Sequence, residues 1–192
     1  MPCGVRPVRA GVAVIHLSGT CARQPQKEFD MATAKKTTKA RTTTTPKDAV
    51  AMLRADHKKV SELFDQFEKS RSPSKKRALV IEICMELTVH TQLEEEIFYP
   101  AVKAALRDKE LVPEATVEHA SVKDLISQVR DAEPDGEAYD AKVKVMSEYV
   151  KHHVKQEQNE MFPRAKKTRL DMAALAEQMA ARKAELMANG TR

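Results

Sequence analysis

Apolar side chains recur at intervals of three and four residues along most of the chain from about residue 47 onward. That spacing places them on one face of an α-helix, and no segment shows the alternation of a β-strand. We therefore predict an all-α protein with four long helices and a shorter fifth one. The inward stripes of the four long helices are Leu53, His57, Val60, Phe64 and Phe67; Ile83, Leu87, His90, Glu94 and Ile97; Ala115, His119, Val122, Ile126 and Val129; and Val143, Met146, Val150, His153, Glu157 and Met161.

Capping and turn residues predict the ends of the first two helices. The first helix is expected to start with Thr45 as its cap and Pro46 in its first turn, and to run to about Ser70. The polar run that follows breaks the helix. Ser72 and Pro73 then provide a cap and a first-turn proline for the second helix.

The remaining boundaries rest on prolines and turn sequences. Pro100 is expected to kink or end the second helix, and the segment LRDKEL (106–111) is a clearer stop. The third helix is expected to open at Pro113 and to end before the turn AEPDG (132–136). The fourth helix is expected to end near Pro163.

Short connections between four long helices predict an up-down-up-down antiparallel four-helix bundle. We assign the bundle to residues 47–166 and a C-terminal amphipathic helix to residues 167–192. That helix should cover residues 170–188, with Leu170, Ala174, Met179 and Leu186 as its apolar contacts.

Residues 1–46 are predicted to form a disordered basic tail. They contain eight Lys and Arg against two acidic residues, whereas residues 47–192 contain 25 against 26. The basic tail could contact a polyanion weakly, but the nearly neutral body gives no reason to expect nucleic-acid binding. We also expect Met31 to be the true start, with residues 1–30 an over-long gene prediction, because their apolar stretch is a poor signal peptide.

Three scattered cysteines form neither a disulfide framework nor a metal-binding CxxC pair. Cys3 and Cys21 lie in the tail, and Cys84 lies in a predicted helix as a small core residue. This usage is typical of a reducing compartment, so we expect a cytoplasmic protein. No apolar run is long enough to span a bilayer, and we expect no membrane association.

One pattern occurs twice in the chain. HTQLEEEIFYP (90–100) and HVKQEQNEMFP (153–163) each read His, three residues, Glu, five residues and Pro. Each is preceded by a segment with one histidine on its stripe, DHKKVSELFDQF (56–67) and EHASVKDLISQV (118–129). Two copies of one helical pair, each carrying two histidines and a carboxylate, predict two halves of a metal site.

Burial explains why these polar residues require a partner. His57, His90, His119 and His153 lie on apolar stripes, as do Glu94 and Glu157. An unpaired buried carboxylate costs several kcal/mol or more. Imidazoles and carboxylates are ligands of divalent and trivalent cations, so four histidines and two carboxylates could hold two metal ions with the carboxylates bridging.

The alternative for each residue alone is structural. A single stripe histidine is more often a hydrogen-bonded core residue, and a single HxxxE pair is common on exposed helix faces. The doubling at equal spacing favours the metal site. We expect His152 to be exposed or to support the site from outside, with replacement of His153 as the less favoured alternative.

Neighbouring residues are assigned to solvent or packing. We expect Glu95, Glu96 and Glu160 to be solvated, with an edge contact to the site as the alternative for Glu160. The three aromatic residues before the prolines are expected to seal the end of the bundle, and gating of a ligand is the less favoured role. These aromatic residues are Phe98, Tyr99 and Phe162.

The set DH…HxxxEEExFYP…EH…HHxxxE…MFP resembles the hemerythrin-like HHE cation-binding domain family over about residues 47–166. The resemblance implies two iron ions in a non-haem centre bridged by oxygen and by two carboxylates. It assigns His57, His90, His119 and His153 as terminal ligands and Glu94 and Glu157 as bridges. Manganese and zinc suit the same donors.

Two departures separate this chain from the oxygen-carrying hemerythrins. Those carriers have a second histidine one turn after the one on the third helix, where this chain has Lys123. They also use an HxxxxD spacing on the fourth helix, where this chain has HxxxE. One nitrogen ligand fewer leaves a coordination position open, which favours binding or sensing of oxygen, nitric oxide or peroxide over reversible oxygen carriage.

Two other functions remain open from the sequence. The first is an iron-donating repair or oxidoreductase protein, which would need an external electron donor. The second is a helical adaptor in which a metal such as zinc is structural. No catalytic residue is assigned, and we expect a binding protein rather than an enzyme.

Overall fold

The structure is a computed structural model that describes residues 48–107, 109–130, 132 and 136–190. Within these residues every regular element is helical, as the spacing of apolar residues predicted. The predicted disordered tail, the proposed start at Met31 and most of the predicted turn at 132–136 lie outside the described residues. No described helix is long and apolar enough to cross a membrane.

Seven α-helices and two π-helical turns follow one another within the described residues. The α-helices are α1 (Ala49–Lys69), α2 (Pro73–Leu93), α3 (Tyr99–Leu106), α4 (Leu111–Arg130), α5 (Glu137–Gln156), α6 (Phe162–Lys166) and α7 (Met172–Asn189). The π-helical turns are π1 (Glu94–Phe98), between α2 and α3, and π2 (Glu157–Met161), between α5 and α6.

The helix starts agree only in part with the prediction. Ser72 caps α2, where its Oγ accepts a hydrogen bond from the Lys75 amide at 3.4 Å, as expected. The first helix was predicted to start at Thr45, which was wrong. Its cap is Asp48, whose Oδ1 accepts from the Ala51 amide at 2.7 Å, because a carboxylate satisfies the free amides of a first turn as well as a hydroxyl does.

The two prolines do not end their helices. In π1 the amide of Tyr99 donates to the carbonyl of Glu94, and in π2 the amide of Phe162 donates to that of Glu157. This wider turn accommodates the residue that follows, a proline in both cases, which lacks an amide hydrogen. The chain therefore continues as helix into α3 and α6: of the two outcomes expected at Pro100, a kink or an end, the helix does not end there, and the fourth helix ends at Lys166, three residues after Pro163.

Other boundaries lie close to their predicted places. α3 ends at Leu106, and Arg107 adopts the left-handed conformation with φ 52°, so the predicted stop at 106–111 is confirmed. α4 begins at Leu111, two residues before the predicted start at Pro113. A proline is compatible with the first turn of a helix, and so it does not mark the start itself.

The described helices form the predicted up-down-up-down bundle. α1 packs against α2 and α4 against α5, and the two hairpins join through contacts of α2 with α4 and of α1 with α5. The apolar core has two clusters: one contains Leu53, Leu93 and Met161, and the other contains Val60 and Leu87, among others. The stripe histidines lie between these clusters along each helix, so the helices present polar groups at one level of an otherwise apolar interior.

The fifth long helix, α7, packs against α1, α2 and π1 at the proline end of the bundle. Met179 is fully buried there, together with Leu175 and Ala176. Of the other predicted contacts, Leu170 and Leu186 are only partly buried. The predicted C-terminal amphipathic helix is therefore present, although its buried face is shifted around the axis.

Candidate metal centre

Six polar side chains from four helical segments meet inside the bundle. α1, α2, α4 and α5 each contribute one histidine, and π1 and π2 each begin with a glutamate. None of the six is more than 6% exposed. These residues are the ones that the sequence singled out: His57, His90, His119, His153, Glu94 and Glu157.

Two groups of possible ligand atoms lie inside the bundle and share Glu94: His57, His90, Glu94 and Glu157 form one, and Glu94, His119 and His153 form the other. In the first, which we call the first position, His57 Nε2 lies 3.0 Å from His90 Nε2. In the second position, His119 Nε2 lies 3.2 Å from His153 Nε2. The Nε2 atoms of each hairpin therefore converge on one point.

The two carboxylates connect these positions. Glu94 Oε2 lies 3.2 Å from His90 Nε2 and 3.3 Å from His119 Nε2. Glu157 Oε2 lies 3.2 Å from His57 Nε2 and 3.6 Å from His153 Nε2. Each carboxylate thus reaches a histidine of both hairpins, which is the placement expected of a bridging ligand.

The donor atoms fit a pair of cations. Glu94 Oε1 and Glu157 Oε2 are buried and make no hydrogen bond. Because Nδ1 of His119 and of His153 each donates to a carboxylate, both Nε2 atoms of these neutral rings carry lone pairs and cannot hydrogen-bond to each other. Two divalent or trivalent ions would accept the converging nitrogen and oxygen lone pairs and neutralise both carboxylates.

The sequence pattern of the hemerythrin HHE cation binding domain matches residues 48–165. The chain belongs to this family. Its HHE domain resembles the crystal structure of a hemerythrin HHE cation binding domain-containing protein from Mycobacterium kansasii, with a TM-score of 0.63 and 25% sequence identity. That match covers 74% of this chain and 88% of the other.

A curated relative also shares this region. A protein from Nostoc sp. named DNA nickase is 30% identical over 111 residues, or 58% of this chain. The chain spans only 31% of the length of that relative. The similarity therefore concerns one part of a longer protein.

Outside the converging atoms, both histidines of the second position have a hydrogen-bond partner at Nδ1. His119 Nδ1 donates to Glu95 Oε1 at 3.0 Å, and His153 Nδ1 donates to Glu118 Oε2 at 2.7 Å. Glu95 was predicted to be solvated, which was wrong. Such contacts orient a metal-binding histidine and raise its basicity.

The first position has weaker outer contacts. His90 Nδ1 lies 3.9 Å from Asp56 Oδ2, beyond hydrogen-bond distance. His57 Nδ1 lies 3.4 Å from the amide nitrogen of Gln158. The amide oxygen and nitrogen exchange places when the side chain rotates, so the amide can also accept from Nδ1–H.

A signal for two of these partners is present in the sequence. Asp56 and Glu118 each directly precede a stripe histidine, in the pairs DH and EH. Each acid faces the histidine of the neighbouring helix in its hairpin rather than its own neighbour in sequence. The repeated acid before the histidine is therefore a sequence signal for a carboxylate partner of a histidine on the neighbouring helix.

Cations surround the outer carboxylates. Lys123 Nζ lies 2.6 Å from Glu95 Oε2, and Lys183 Nζ of α7 lies 2.6 Å from Asp56 Oδ1. Lys123, at the place of the carriers' second histidine, therefore binds an outer carboxylate. His152 is 70% exposed and lies 3.5 Å from Glu118, so it is His153 that faces the interior.

Tyr99 lies among the candidate ligands. Its hydroxyl donates to Glu157 Oε1 at 3.0 Å and lies 3.2 Å from His119 Nε2 and 3.4 Å from His153 Nε2. Burial, followed by the charges of Glu94 and Glu157, raises the pKa of this phenol well above its ordinary value. Tyr99 was predicted to pack at the end of the bundle, and it is buried there. Its hydroxyl also faces the site, because the π-helical turn changes the direction of the residue five positions after Glu94.

The other neighbours behave more simply. The rings of Phe162 and His57 are stacked with their centroids 5.9 Å apart. Phe98 meets Phe162 edge-on, with ring centroids 5.7 Å apart. The two phenylalanines therefore pack beside the site. Glu96 is exposed and binds Arg182 of α7. Glu160 is exposed, as expected.

The charges of the site act on the histidine pKa values. Burial lowers the pKa of His57. Burial alone would also lower that of His90, but the charge of Glu94 and contacts with Asp56 and Glu94 raise it to about 10. A proton on His90 thus offsets one buried carboxylate, and metal binding would have to displace that proton.

Two spaces adjoin the centre. A groove of about 300 Å³ between α1 and α5 is lined by His57, Lys151, Val154 and Gln158, among others. A small apolar space of about 20 Å³ lies beside the four histidines and is also lined by Val150 and Val154. That volume is enough for one molecule of the size of water.

Proposed function

We propose that this HHE domain holds a non-haem pair of iron ions and uses it to bind or sense oxygen, nitric oxide or a related redox ligand such as peroxide. The observation that carries the proposal is a pair of buried groups of possible ligand atoms that share Glu94, with His57, His90 and Glu157 in one and His119 and His153 in the other. His57 and His90 would hold one ion and His119 and His153 the other. Glu94 and Glu157 would reach both.

The donor set limits the choice of metal, and the resemblance to hemerythrins is the reason for choosing iron. Nitrogen and carboxylate oxygen suit iron, manganese and zinc, and no thiolate lies among the converging atoms that would favour softer metals. Membership of a cation-binding family supports a resident metal. Iron among these metals is the identity that the resemblance to hemerythrins favours.

Two bound irons would supply a coordination position for a small redox ligand and electrons through their ferrous and ferric states. The residues of the chain limit which ligand can arrive. His57, Val150 and Val154 line both the groove and the small apolar space, so the way from the groove to the other histidines is lined by apolar side chains. A space of about 20 Å³ favours a diatomic molecule or peroxide over an organic substrate.

Metal analysis with matched variants tests this proposal. The full chain would be expressed in iron-replete medium, as would His90→Ala, Glu157→Ala and the control His152→Ala. We expect two irons per chain in the wild type and in the control, because His152 is 70% exposed outside the centre. The two ligand variants should lose half or more of the metal. Wild-type iron content in both would contradict the assignment.

The visible spectrum then separates the candidate functions. Absorption that changes on addition of oxygen or nitric oxide would support ligand binding or sensing. Turnover with a reductant would instead support the oxidoreductase alternative. Tightly held zinc with no response to either gas would support an adaptor with a structural metal. A cytoplasmic location and weak polyanion contact by the tail stay predictions.

A further inference from the structure

The outer contacts of the four histidines make the two metal positions unlike. At the second position, both histidines donate from Nδ1 to a carboxylate, at 3.0 Å for His119 and 2.7 Å for His153. At the first position, the nearest outer groups are an amide at 3.4 Å from His57 and a carboxylate at 3.9 Å from His90. Only the second position thus has hydrogen-bonded carboxylates behind its ligands.

Neighbouring charges preserve this difference. Lys123 forms an ion pair with Glu95 behind the second position, and Lys183 forms one with Asp56 behind the first. Each position therefore has one outer carboxylate that is already paired with a lysine. The partners that remain are Glu118, beside the exposed His152, and Gln158, which carries no charge. The contrast between a carboxylate and an amide is therefore not cancelled by the lysines.

The first metal position is also closer to solvent than the second. His57 and Gln158 line the groove between α1 and α5, together with the rim residues Lys151, Lys155 and Asn159. At the second position, the Tyr99 hydroxyl lies within 3.4 Å of both Nε2 atoms and covers them on the buried side. The first position is thus nearer the route by which a metal ion can enter or leave.

We propose, on the basis of the function proposed above, that the two positions bind metal with unequal affinity. The second position loads first and retains its ion, whereas the first position exchanges its ion through the groove between α1 and α5. Gln158 is the positioning residue that keeps the first position weak. A singly loaded form, with metal at His119 and His153, then precedes the doubly loaded one.

The expected difference follows from the outer partners. Loss of a carboxylate behind a metal-binding histidine lowers metal affinity by roughly 10- to 100-fold. A carboxylate at Nδ1 strengthens the lone pair on Nε2 because it stabilises the positive charge that the ring acquires on binding. An amide does this less, so we expect the two affinities to differ by at least about 10-fold.

Titration of the metal-free full chain with Co²⁺ tests the inequality, because its visible absorption reports each added ion. We expect two steps separated by at least about 10-fold in affinity. In His57→Ala the tight step should remain, and in His153→Ala it should be lost. Two equal steps in the wild type would overturn this inference alone, whereas absence of any binding would overturn the proposed function as well.

Gln158→Glu gives a second, independent measurement. It places a carboxylate at His57 Nδ1, and the weak step should tighten by about 10-fold until the two steps merge. Asn159→Asp adds the same charge at the next residue, which lines the same groove. This control should change the weak step by less than about 3-fold. A gain of affinity cannot arise from damaged folding, and equal effects of the two variants would overturn the role of Gln158.

Discussion

Met179 of α7 offers a direct test of how the C-terminal helix is held. Its side chain is fully buried in the same apolar cluster as Leu53, Leu93 and Phe98. Met187 lies on the same helix two turns later and is 42% exposed. Met179→Ala and Met187→Ala therefore make the same chemical change in two opposite environments.

The magnitude follows from the burial of each side chain. Truncation of a buried methionine to alanine costs about 2–5 kcal/mol, and the cost is lower where the surroundings can close the cavity. Because α7 packs against α1 and α2 and can settle toward them to close part of the cavity, we expect about 2–3 kcal/mol for Met179→Ala. For Met187→Ala we expect less than about 0.5 kcal/mol.

Urea unfolding of the chelator-treated protein measures both costs. Metal must be absent because an ion that binds only the native state adds stability by mass action. Equal m-values would show that the variants unfold over the same surface. Costs below about 0.5 kcal/mol for both variants would refute the docking of α7 on the bundle.

Three further predictions concern single residues. Glu118→Gln should weaken metal binding by roughly 10- to 100-fold in competition with a chelator, because it removes the carboxylate at His153 Nδ1, whereas the exposed Glu148→Gln should not. Burial raises the pKa of the Cys84 thiol to about 11. In a Cys3→Ser, Cys21→Ser variant, Cys84 should therefore react with a thiol reagent at pH 8 only after the protein unfolds. Fast reaction of the native protein would contradict the burial of Cys84. Arg107 has φ 52°, a left-handed conformation that glycine adopts more easily than arginine does, so Arg107→Gly should add about 0.5–1 kcal/mol to the free energy of unfolding. A lower free energy of unfolding in the urea assay would argue against that conformation.

Much of the fold was readable from the chain because its information is local. Spacing of apolar residues sets which face of each helix is inward, and short connections leave an antiparallel bundle as the arrangement that buries all four faces. Helix ends were less predictable. Asp48 in place of Thr45 as a cap, and the start of α4 before Pro113, depend on small energy differences between neighbouring residues.

The six converging side chains were also predictable, because a buried ionisable group on a stripe has few explanations and the pattern occurs twice. Their outer partners were not. Glu95 follows Glu94 in a run of three glutamates and looks solvated, yet it accepts from His119 on another helix. Tyr99 faces the centre because π1 inserts an extra residue into the turn.

The chain by itself therefore determined which residues are inward and which chemistry they can perform, since both depend on residue type and helical period. Only the tertiary structure decided which acid stands behind which histidine, how α7 reaches Asp56 through Lys183, and why Gln158 lies at the first position. These contacts join residues up to 127 positions apart. They depend on how helices are rotated and spaced against one another, and helical periodicity within one segment carries no record of that.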